Sequence, residues 1–267
     1  MFLALAGPRG RALIDRELYL PKGWCDDEGR LHEAHVPAEV VFQTKPRLAQ
    51  RMIGRALDAS GGGLRPRWVL GDEVYGSDGK TRRFLESRGQ PYVLAVSSQQ
   101  RLWVQLKQQR VDRIAQKIAP DDWQRISVAA GSKGPRVYDW AGGRLGVPTQ
   151  TPGCGLVNWL LIRRGVTSGG GVTSGGEPHE YAYYLCAAPP QATLADLAIA
   201  AGQRRAVECC FESAKQETGL DDYEVRSWHG WYRHVTLSMA ALAMLAAVRA
   251  QAAEAPSQKS RRMTWSR

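Results

Sequence analysis

Three side chains with complementary chemistry occur at helical spacing between Arg204 and Lys215. Arg204 precedes Glu208 by four residues and Lys215 follows it by seven, so one helix would place all three on the same face. Carboxylates are ligands that Mg²⁺ prefers, and arginine and lysine bind phosphate. The same row is also typical of a solvated helix face that is stabilised by salt bridges. On this segment alone both interpretations stay open.

A second carboxylate, Asp72, lies far upstream in a different kind of element. The apolar run 68–70 predicts a buried strand that ends at Gly71, which would place Asp72 at its carboxyl end. Ligands of open α/β sheets bind outside the carboxyl ends of the strands, so an acid at this position can be functional. The alternative is that Asp72 caps the following turn or helix.

Together these segments resemble the DDE transposases of bacterial insertion sequences. Within that family, the chain most resembles the branch whose last catalytic acid lies in a Y-x2-R-x3-E-x6-K signature. Arg204, Glu208 and Lys215 match that spacing, whereas Ala201 stands at the Tyr position. Further segments resemble the family in the same order along the chain, namely residues 10–21, 44–46, 71–76 and 231–237.

The resemblance implies a fold class. It is an α/β fold, with a ribonuclease-H-like mixed sheet and flanking helices, interrupted by a β-rich insertion and followed by a helical C-terminal region. We expect the core to comprise residues 1–97 and 190–254 and the insertion to comprise 98–189. The last segment, 255–267, holds four basic residues and no acid, and predicts a basic disordered tail.

The resemblance also assigns roles to individual residues. Transfer of a phosphodiester in this family uses two Mg²⁺ (or Mn²⁺) ions, roughly 3.5–4 Å apart, that clamp the attacking and leaving oxygens. Asp72 and Glu208 would be the second and third catalytic acids and would bind these metal ions. Arg204 and Lys215 would contact DNA phosphates beside the metals. The implied function is metal-dependent DNA cleavage and strand transfer at insertion-sequence ends.

The first catalytic acid of the family has no counterpart in this sequence. In the family it lies upstream of the segment that matches residues 10–21, and no Asp precedes Asp15 here. Asp15 itself matches a family position that is not catalytic. We therefore expect an N-terminally truncated transposase that is inactive on its own. One alternative is a non-catalytic DNA-binding remnant that occupies ends or pairs with an intact transposase; another is a different metal nuclease of this fold.

Composition limits the partners and the compartment. The 267 residues are 43% hydrophobic, enough for a sizeable core, and a net charge of +10 favours a polyanionic partner. With the resemblance this predicts double-stranded DNA, both ends and target, and a homo-oligomer on DNA. Five cysteines without metal-binding spacing and no signal peptide predict the reducing bacterial cytoplasm, near the nucleoid.

The apolar run 235–248 is too short for a bilayer and predicts a buried core helix that a partner chain could also cover in part.

Hydrophobic patterning predicts the order of the remaining elements. A polar loop is expected at 22–36, where His32 and His35 lack the second ligand cluster that a metal site needs. The predicted strands are 2–6, 11–20, 68–70, 91–96, 123–129, 136–140, 156–163 and 181–187, and the predicted helices are 46–59, 80–88, a helix-like stretch near 100–118 and the segment around Glu208.

Several other side chains allow two interpretations. In the predicted insertion, Trp140 or Trp159 could stack on a displaced base, although core packing is the competing interpretation. Asp221 and Asp222 are rival metal ligands that would otherwise complete a turn after Gly219. The bases that could meet phosphates, or lie at solvated strand ends, are Lys133, Arg136, Arg163 and Arg164.

A hexad is repeated in tandem, as Gly165–Gly170 and Gly171–Gly176, and it predicts a flexible hairpin loop. Deleting Gly171–Gly176 should therefore change the melting temperature by about 2 °C or less, because loop-closure entropy varies slowly with loop length. Thermal unfolding followed by circular dichroism measures this. A control deletion of the predicted strand residues 156–161 should abolish the cooperative transition, and a comparable loss on deleting the hexad would contradict the loop assignment.

Overall fold

The computed structural model describes residues 1–59, 63–104, 107–131, 134–146, 149–165, 180–224 and 226–254. The strands in these residues are β1 (Phe2–Gly7), β2 (Gly10–Arg16), β3 (Val69–Gly71), β4 (Tyr92–Val96), β5 (Arg101–Val104), β6 (Lys107–Arg110), β7 (Gln124–Gly131), β8 (Gly134–Arg144), β9 (Val157–Arg164) and β10 (Tyr181–Ala188). The helices are α1 (Lys22–Cys25), α2 (Glu28–Glu33), α3 (Lys45–Asp58), α4 (Glu73–Gly76), α5 (Gly79–Ser87), α6 (Val111–Ala115), α7 (Leu194–Gly202), α8 (Ala206–Thr218) and α9 (Trp228–Glu254), with 3₁₀ turns at Pro120–Asp122 and Gln203–Arg205.

The chain divides into two compact units. We call Met1, Glu17–Tyr19 and Gln43–Arg205 the sheet unit, and Phe2–Arg16, Leu20–Phe42 and Ala206–Arg267 the helical unit. The predicted hairpin loop, apart from Gly165, and the predicted disordered tail lie outside the described residues.

A six-stranded mixed sheet organises the sheet unit, in the order β3-β4-β10-β9-β8-β7. Strands β3 and β4 are parallel, and every other neighbouring pair is antiparallel. With its flanking helices this sheet confirms the predicted α/β fold of ribonuclease-H-like type. Strands β7–β10 come from the segment predicted as an insertion, yet they extend the same sheet as β3 and β4. The predicted boundaries at residues 98 and 190 stay a prediction.

Each face of the sheet buries a separate apolar cluster. On one face α7 contributes Leu197 and Ala201, which pack against Trp140 of β8 and Leu161 of β9. The end of α7 approaches β7 so closely that a Cβ at Gly202 would lie 2.6 Å from the Cβ of Val128. The opposite face is covered by α6, whose buried members pack with strand residues in a second cluster consisting of Val96, Val111, Ala115, Leu160, Ile162, Tyr183 and Leu185.

The helical unit packs the β1–β2 hairpin with α8 and α9. Leu13 of β2 lies in one buried cluster with Cys210 of α8 and Val235 of α9. The ring of Phe2 meets that of Phe211 edge to face, with 5.2 Å between the ring centroids. Aromatic and aliphatic burial therefore holds the hairpin on these two helices.

Two predicted elements were wrong, and a third was right only in part. The polar loop at 22–36 contains α1 and α2, and Asp27 caps α2 by accepting a hydrogen bond from the backbone N–H of Arg30. The helix-like stretch near 100–118 is a β5–β6 hairpin followed by the short α6. The predicted buried core helix lies in α9, which is only partly buried, because Leu237 and Met244 are 65% and 70% exposed.

Helix α9 also bears on the membrane prediction. Its stretch Trp228–Ala253 is long and apolar enough to cross a membrane, judged by length and composition only. Of an apolar 18-residue segment within it, 22% is buried. Core helices of soluble proteins pass the same test, so the finding is weak evidence for a membrane span.

A charged network that spans β7, β8 and β9 should make stability depend on pH. Asp139 accepts hydrogen bonds from Arg125 (2.9 Å) and Arg164 (3.2 Å). The Arg125 hydrogen bond, and then that of Arg164, hold the pKa of Asp139 below its unfolded value of 3.8. This stabilisation is complete above that value and is lost as the pH falls through the folded pKa.

Replacing Asp139 with Asn should lower the free energy of unfolding by about 1–2 kcal/mol at pH 7, through the loss of charged hydrogen bonds. The difference from wild type should shrink at pH 3, as measured by urea unfolding at both values. The matched control is Asp58→Asn, which breaks the exposed pair with Arg88 and should change stability little. An equal cost at pH 3 and pH 7 would show that the Asp139 charge does not contribute.

Candidate active site

Asp72 lies directly after β3, at the carboxyl end of the strand, and its side chain is exposed. It is also the N-cap of α4: its Oδ1 accepts a hydrogen bond from the backbone N–H of Val74 at 2.9 Å. The strand-end position and the capping role were alternatives at the sequence level, and the structure shows both. The hydrogen bond holds the carboxylate in one orientation through a single oxygen. No hydrogen bond to Oδ2 occurs among the described residues.

Two glycines explain why the turn after β3 lies flat against β4. A Cβ at Gly76 would lie 1.8 Å from the carbonyl oxygen of Ala95, and one at Gly71 would lie 3.0 Å from Cδ2 of Leu94. Only glycine at position 76 permits this approach of the two backbones. Gly71 and Gly76 flank the α4 turn, so the same packing that requires them also positions Asp72.

Asp72 opens onto a cleft of about 850 Å³ that lies wholly within the sheet unit. The cleft brings Asp72 together with Arg204, as the predicted site requires, and also with Arg163 of β9. Glu73 adds a second carboxylate beside Asp72. The remaining lining residues are Val74, Ser77, Ala95, Val96, Ser98, Glu180, Tyr181, Ala182, Tyr183 and Tyr184.

Charged side chains of the cleft influence the pKa of Tyr184, which lines it, and of Tyr75, which is half-buried in the α4 turn. Burial raises the pKa of Tyr184, and the positive charges of Arg163 and Arg204 act in the opposite direction. Burial also raises the pKa of Tyr75, and the negative charge of Asp72 adds to that effect. Two arginines, Arg163 and Arg204, and three acids, Asp72, Glu73 and Glu180, thus line one cleft.

Arg204, Glu208 and Lys215 do not lie on one continuous α-helix, as their spacing predicted. Arg204 lies in the 3₁₀ turn Gln203–Arg205, between the end of α7 and the start of α8 at Ala206. Only Glu208 and Lys215 lie on α8, where both are exposed. The spacing alone missed the break, which follows Gly202, a residue of low helix propensity whose backbone packs closely on Val128.

Lys215 has an acidic neighbour in the helical unit. Its Nζ lies 3.5 Å from Oδ2 of Asp221, and both side chains are about half exposed, at 52% and 51%. Asp222 completes the turn after Gly219 through a hydrogen bond from its backbone N–H to the Gly219 carbonyl, which confirms the turn interpretation. Asp15, which is half-buried, accepts a hydrogen bond from the backbone N–H of Arg16.

The described residues of the two units contain no ready-made metal site. Among the described residues, no group of three or more His, Cys, Asp or Glu side chains could hold a metal ion. Asp72 belongs to the sheet unit and Glu208 to the helical unit, and their pairing in one site stays a prediction. His32 lies in α2 and His35 follows it, and neither belongs to such a group.

The two tryptophans considered for base stacking are buried. Trp140 is 1% exposed and Trp159 is 8% exposed, which confirms core packing for both. Of the two arginines on β9, Arg164 pairs with Asp139, whereas Arg163 lines the cleft. Sequence reasoning did not single out Arg163 as a cleft residue. The alternation of side chains along β9 could have done so, because it places this charged residue on the same face as Trp159 and Leu161.

The sequence of the first half of the chain decides the family. A family model described as DDE superfamily endonuclease matches residues 1–142, which is more than half of the chain. The chain belongs to the DDE superfamily endonucleases. The matched residues include Asp72 and exclude Glu208. No curated protein matches the chain.

Membership of this family confirms the predicted transposase-type family and has general consequences. DDE superfamily endonucleases act on DNA, so DNA is the partner. They generally use divalent metal ions. The family also favours a soluble cytoplasmic protein. The truncation and the Y-R-E-K branch stay predictions.

Replacing Gly76 with Ala should destabilise the sheet unit by about 2–3 kcal/mol or more, because a Cβ there would overlap the carbonyl of Ala95. Urea unfolding measures the change. The matched control is Gly79→Ala in α5, where the nearest atoms to a Cβ lie at 3.7 and 3.8 Å; it should be neutral or slightly stabilising. Equal effects of the two substitutions would contradict the proposed packing of the α4 turn.

Proposed function

We propose that this DDE superfamily endonuclease derives from a transposase that cleaves DNA and transfers strands at insertion-sequence ends. The observation that carries the proposal is Asp72, a carboxylate at the carboxyl end of β3 that shares a cleft with Arg204. It lies inside the residues that match the family. The five segments that resemble insertion-sequence transposases, in order along the chain, support the narrower assignment.

In this proposal Asp72 and Glu208 are catalytic metal ligands. Hard carboxylate oxygens fit Mg²⁺ or Mn²⁺, and the Val74 N–H would orient the Asp72 carboxylate for binding. When bound, the two ions of such a site polarise the phosphodiester and stabilise the attacking and leaving oxygens. Arg204 and Lys215 bind DNA phosphates, and Lys215 exchanges its contact with Asp221 for a phosphate.

Residues 1–267 contribute two of the three acids of such a site. The first fourteen residues contain no acid, and Asp15 is the earliest candidate. A site that lacks one ligand binds metal weakly, and loss of a ligand costs orders of magnitude in rate. We therefore propose that residues 1–267 alone bind DNA but cleave it weakly or not at all.

The alternative function is that of a non-catalytic DNA-binding protein, which occupies ends or pairs with an intact transposase. The net charge of +10, and the two arginines that line the cleft, favour DNA binding in either case. The two functions differ in whether the carboxylates bind metal. The experiments below separate them by measuring metal binding independently of cleavage.

Replacing Asp72 with Asn should weaken Mn²⁺ binding by about 10-fold or more, because one ionised ligand is lost. Electron paramagnetic resonance of free Mn²⁺ measures this without any cleavage assay. Asn keeps an oxygen that can accept the Val74 N–H, so the cap and the fold are preserved. Glu208→Gln should have a similar effect.

The control for this experiment is Asp58→Asn, which removes an exposed carboxylate that does not line the cleft. It should leave Mn²⁺ binding unchanged. If Asp72→Asn binds Mn²⁺ as tightly as wild type, Asp72 is not a metal ligand. DNA binding without carboxylate-dependent metal binding would then favour the non-catalytic alternative.

The DNA that precedes the Met1 codon offers a test of the narrower function. An in-frame segment rich in Asp could supply the first acid, and the longer protein should then nick a plasmid that carries the insertion-sequence ends. Asp72→Asn in that longer protein should lower the cleavage rate by about two orders of magnitude or more. Cutting without preference for the ends would indicate a different nuclease of the same fold.

A further inference from the structure

Arg163 has an unusual environment for a charged residue. It lies on β9, on the face of the sheet that α7 covers, and its guanidinium carbon stands 4.6 Å from the centroid of the Tyr138 ring. Its Nε is buried and has no hydrogen-bond partner among the described residues. A guanidinium stacked on an aromatic ring is held in position, and an unsatisfied buried donor leaves its charge poorly compensated.

The counter-ion of Arg163 is weakly held. Its Nη2 lies 3.4 Å from Oε1 of Glu180, and the Glu180 side chain is 86% exposed, whereas that of Arg163 is 20% exposed. An ion pair with so exposed a partner contributes little stability. Glu180 lines the same cleft as Arg163, so it occupies the position from which an anion would approach.

The neighbouring residue Arg164 differs in each of these respects. It points to the other face of the sheet, its guanidinium lies 4.2 Å from the centroid of the Trp123 ring, and its Nε donates to Asp139. The Asp139 side chain is only 12% exposed, so that pair is largely desolvated. Arg164 therefore has a structural role, and its substitution is a control of identical charge for substitutions of Arg163.

We propose that Arg163 binds a DNA phosphate in this cleft and that Glu180 forms an ion pair with its guanidinium when DNA is absent. The inference rests on the proposed function, since it places the DNA backbone at the Asp72 cleft. Arg204 lies in the same cleft, and both guanidinium groups act on Tyr184. The two arginines would hold the phosphates of a strand while Asp72 faces a metal ion.

The physical basis is an exchange of anions. A phosphate carries a full charge on oxygens that an arginine can bind through two parallel hydrogen bonds, whereas Glu180 offers one long contact. The ring of Tyr138 fixes the guanidinium beforehand, so little side-chain entropy is lost when DNA binds. Displacing Glu180 costs little because its carboxylate returns to water.

Binding of a fluorescein-labelled 30-base-pair duplex tests the proposal. Fluorescence anisotropy in EDTA, over a series of KCl concentrations, gives the Kd and its salt dependence without cleavage. Arg163→Gln should raise Kd about 10-fold and lower the salt slope by about 0.9, the value for one phosphate contact. Glu180→Gln should lower Kd about 2- to 5-fold, because a competing carboxylate is removed.

Two matched variants control for net charge. Arg164→Gln removes the same charge from the adjacent residue, and Asp121→Asn removes an exposed acid that does not line the cleft. Both should change Kd less than about 2-fold at 150 mM KCl, where distant surface charges are screened. Circular dichroism melts check that each variant is folded.

The outcomes separate the inference from the proposed function. Suppose that wild type binds the duplex, but that the Kd of Arg163→Gln equals that of Arg164→Gln and the Kd of Glu180→Gln equals that of Asp121→Asn. The inference is then overturned while the proposed function stands. If wild type fails to bind DNA, both are overturned. Because Glu180 is highly exposed, its substitution does not threaten folding, so this arm decides the matter even if Arg163→Gln is unstable.

Discussion

The pairing of β10 between β4 and β9 is the constraint on which the sheet unit depends. Residues from Tyr183 to Ala187 pair with both neighbours at once, and β10 is almost fully buried along this stretch. One strand therefore joins the β3–β4 pair, which carries Asp72, to the strands that follow residue 120 and carry Arg163. Without this pairing the acid and the arginine would have no common cleft.

The cleft combines two electrostatic requirements that oppose one another. A metal ligand must be accessible, and Asp72, the proposed ligand, is exposed and accepts the Val74 N–H of the α4 cap through one oxygen only. Cations that hold phosphate must be fixed without being neutralised. Arg163, the proposed phosphate ligand, is held by the Tyr138 ring, because an aromatic face attracts a cation without accepting the hydrogen bonds of its Nη groups.

Rigidity around Asp72 comes from backbone contact. The Gly76 backbone lies against the carbonyl of Ala95, and the α4 turn is too short to hold its position by helix propensity alone. The conformation of Asp72 is thus set by the packing of one turn on one strand. The α7 end shows the same principle, since the contact of Gly202 with Val128 stops the helix and leads into the turn that carries Arg204.

The sequence by itself determined the features that local patterning encodes. The apolar run before Gly71 located β3 and therefore Asp72, and hydrophobic periodicity located α3, α5 and most strands of the sheet. The family also followed from short motifs in order along the chain. These signals depend on neighbours within a few residues, which a single sequence displays directly.

Only the tertiary structure decided which distant groups meet. Strand order brings Arg163 to Asp72 across ninety residues of chain, and close packing on Val128 interrupts the helical row that the Arg204–Lys215 spacing suggested. The hairpin at β5–β6 replaced a predicted helix because cross-strand pairing overrode helix propensity. Long-range pairing and steric contact leave no periodic trace in the sequence, so they had to be seen in the fold.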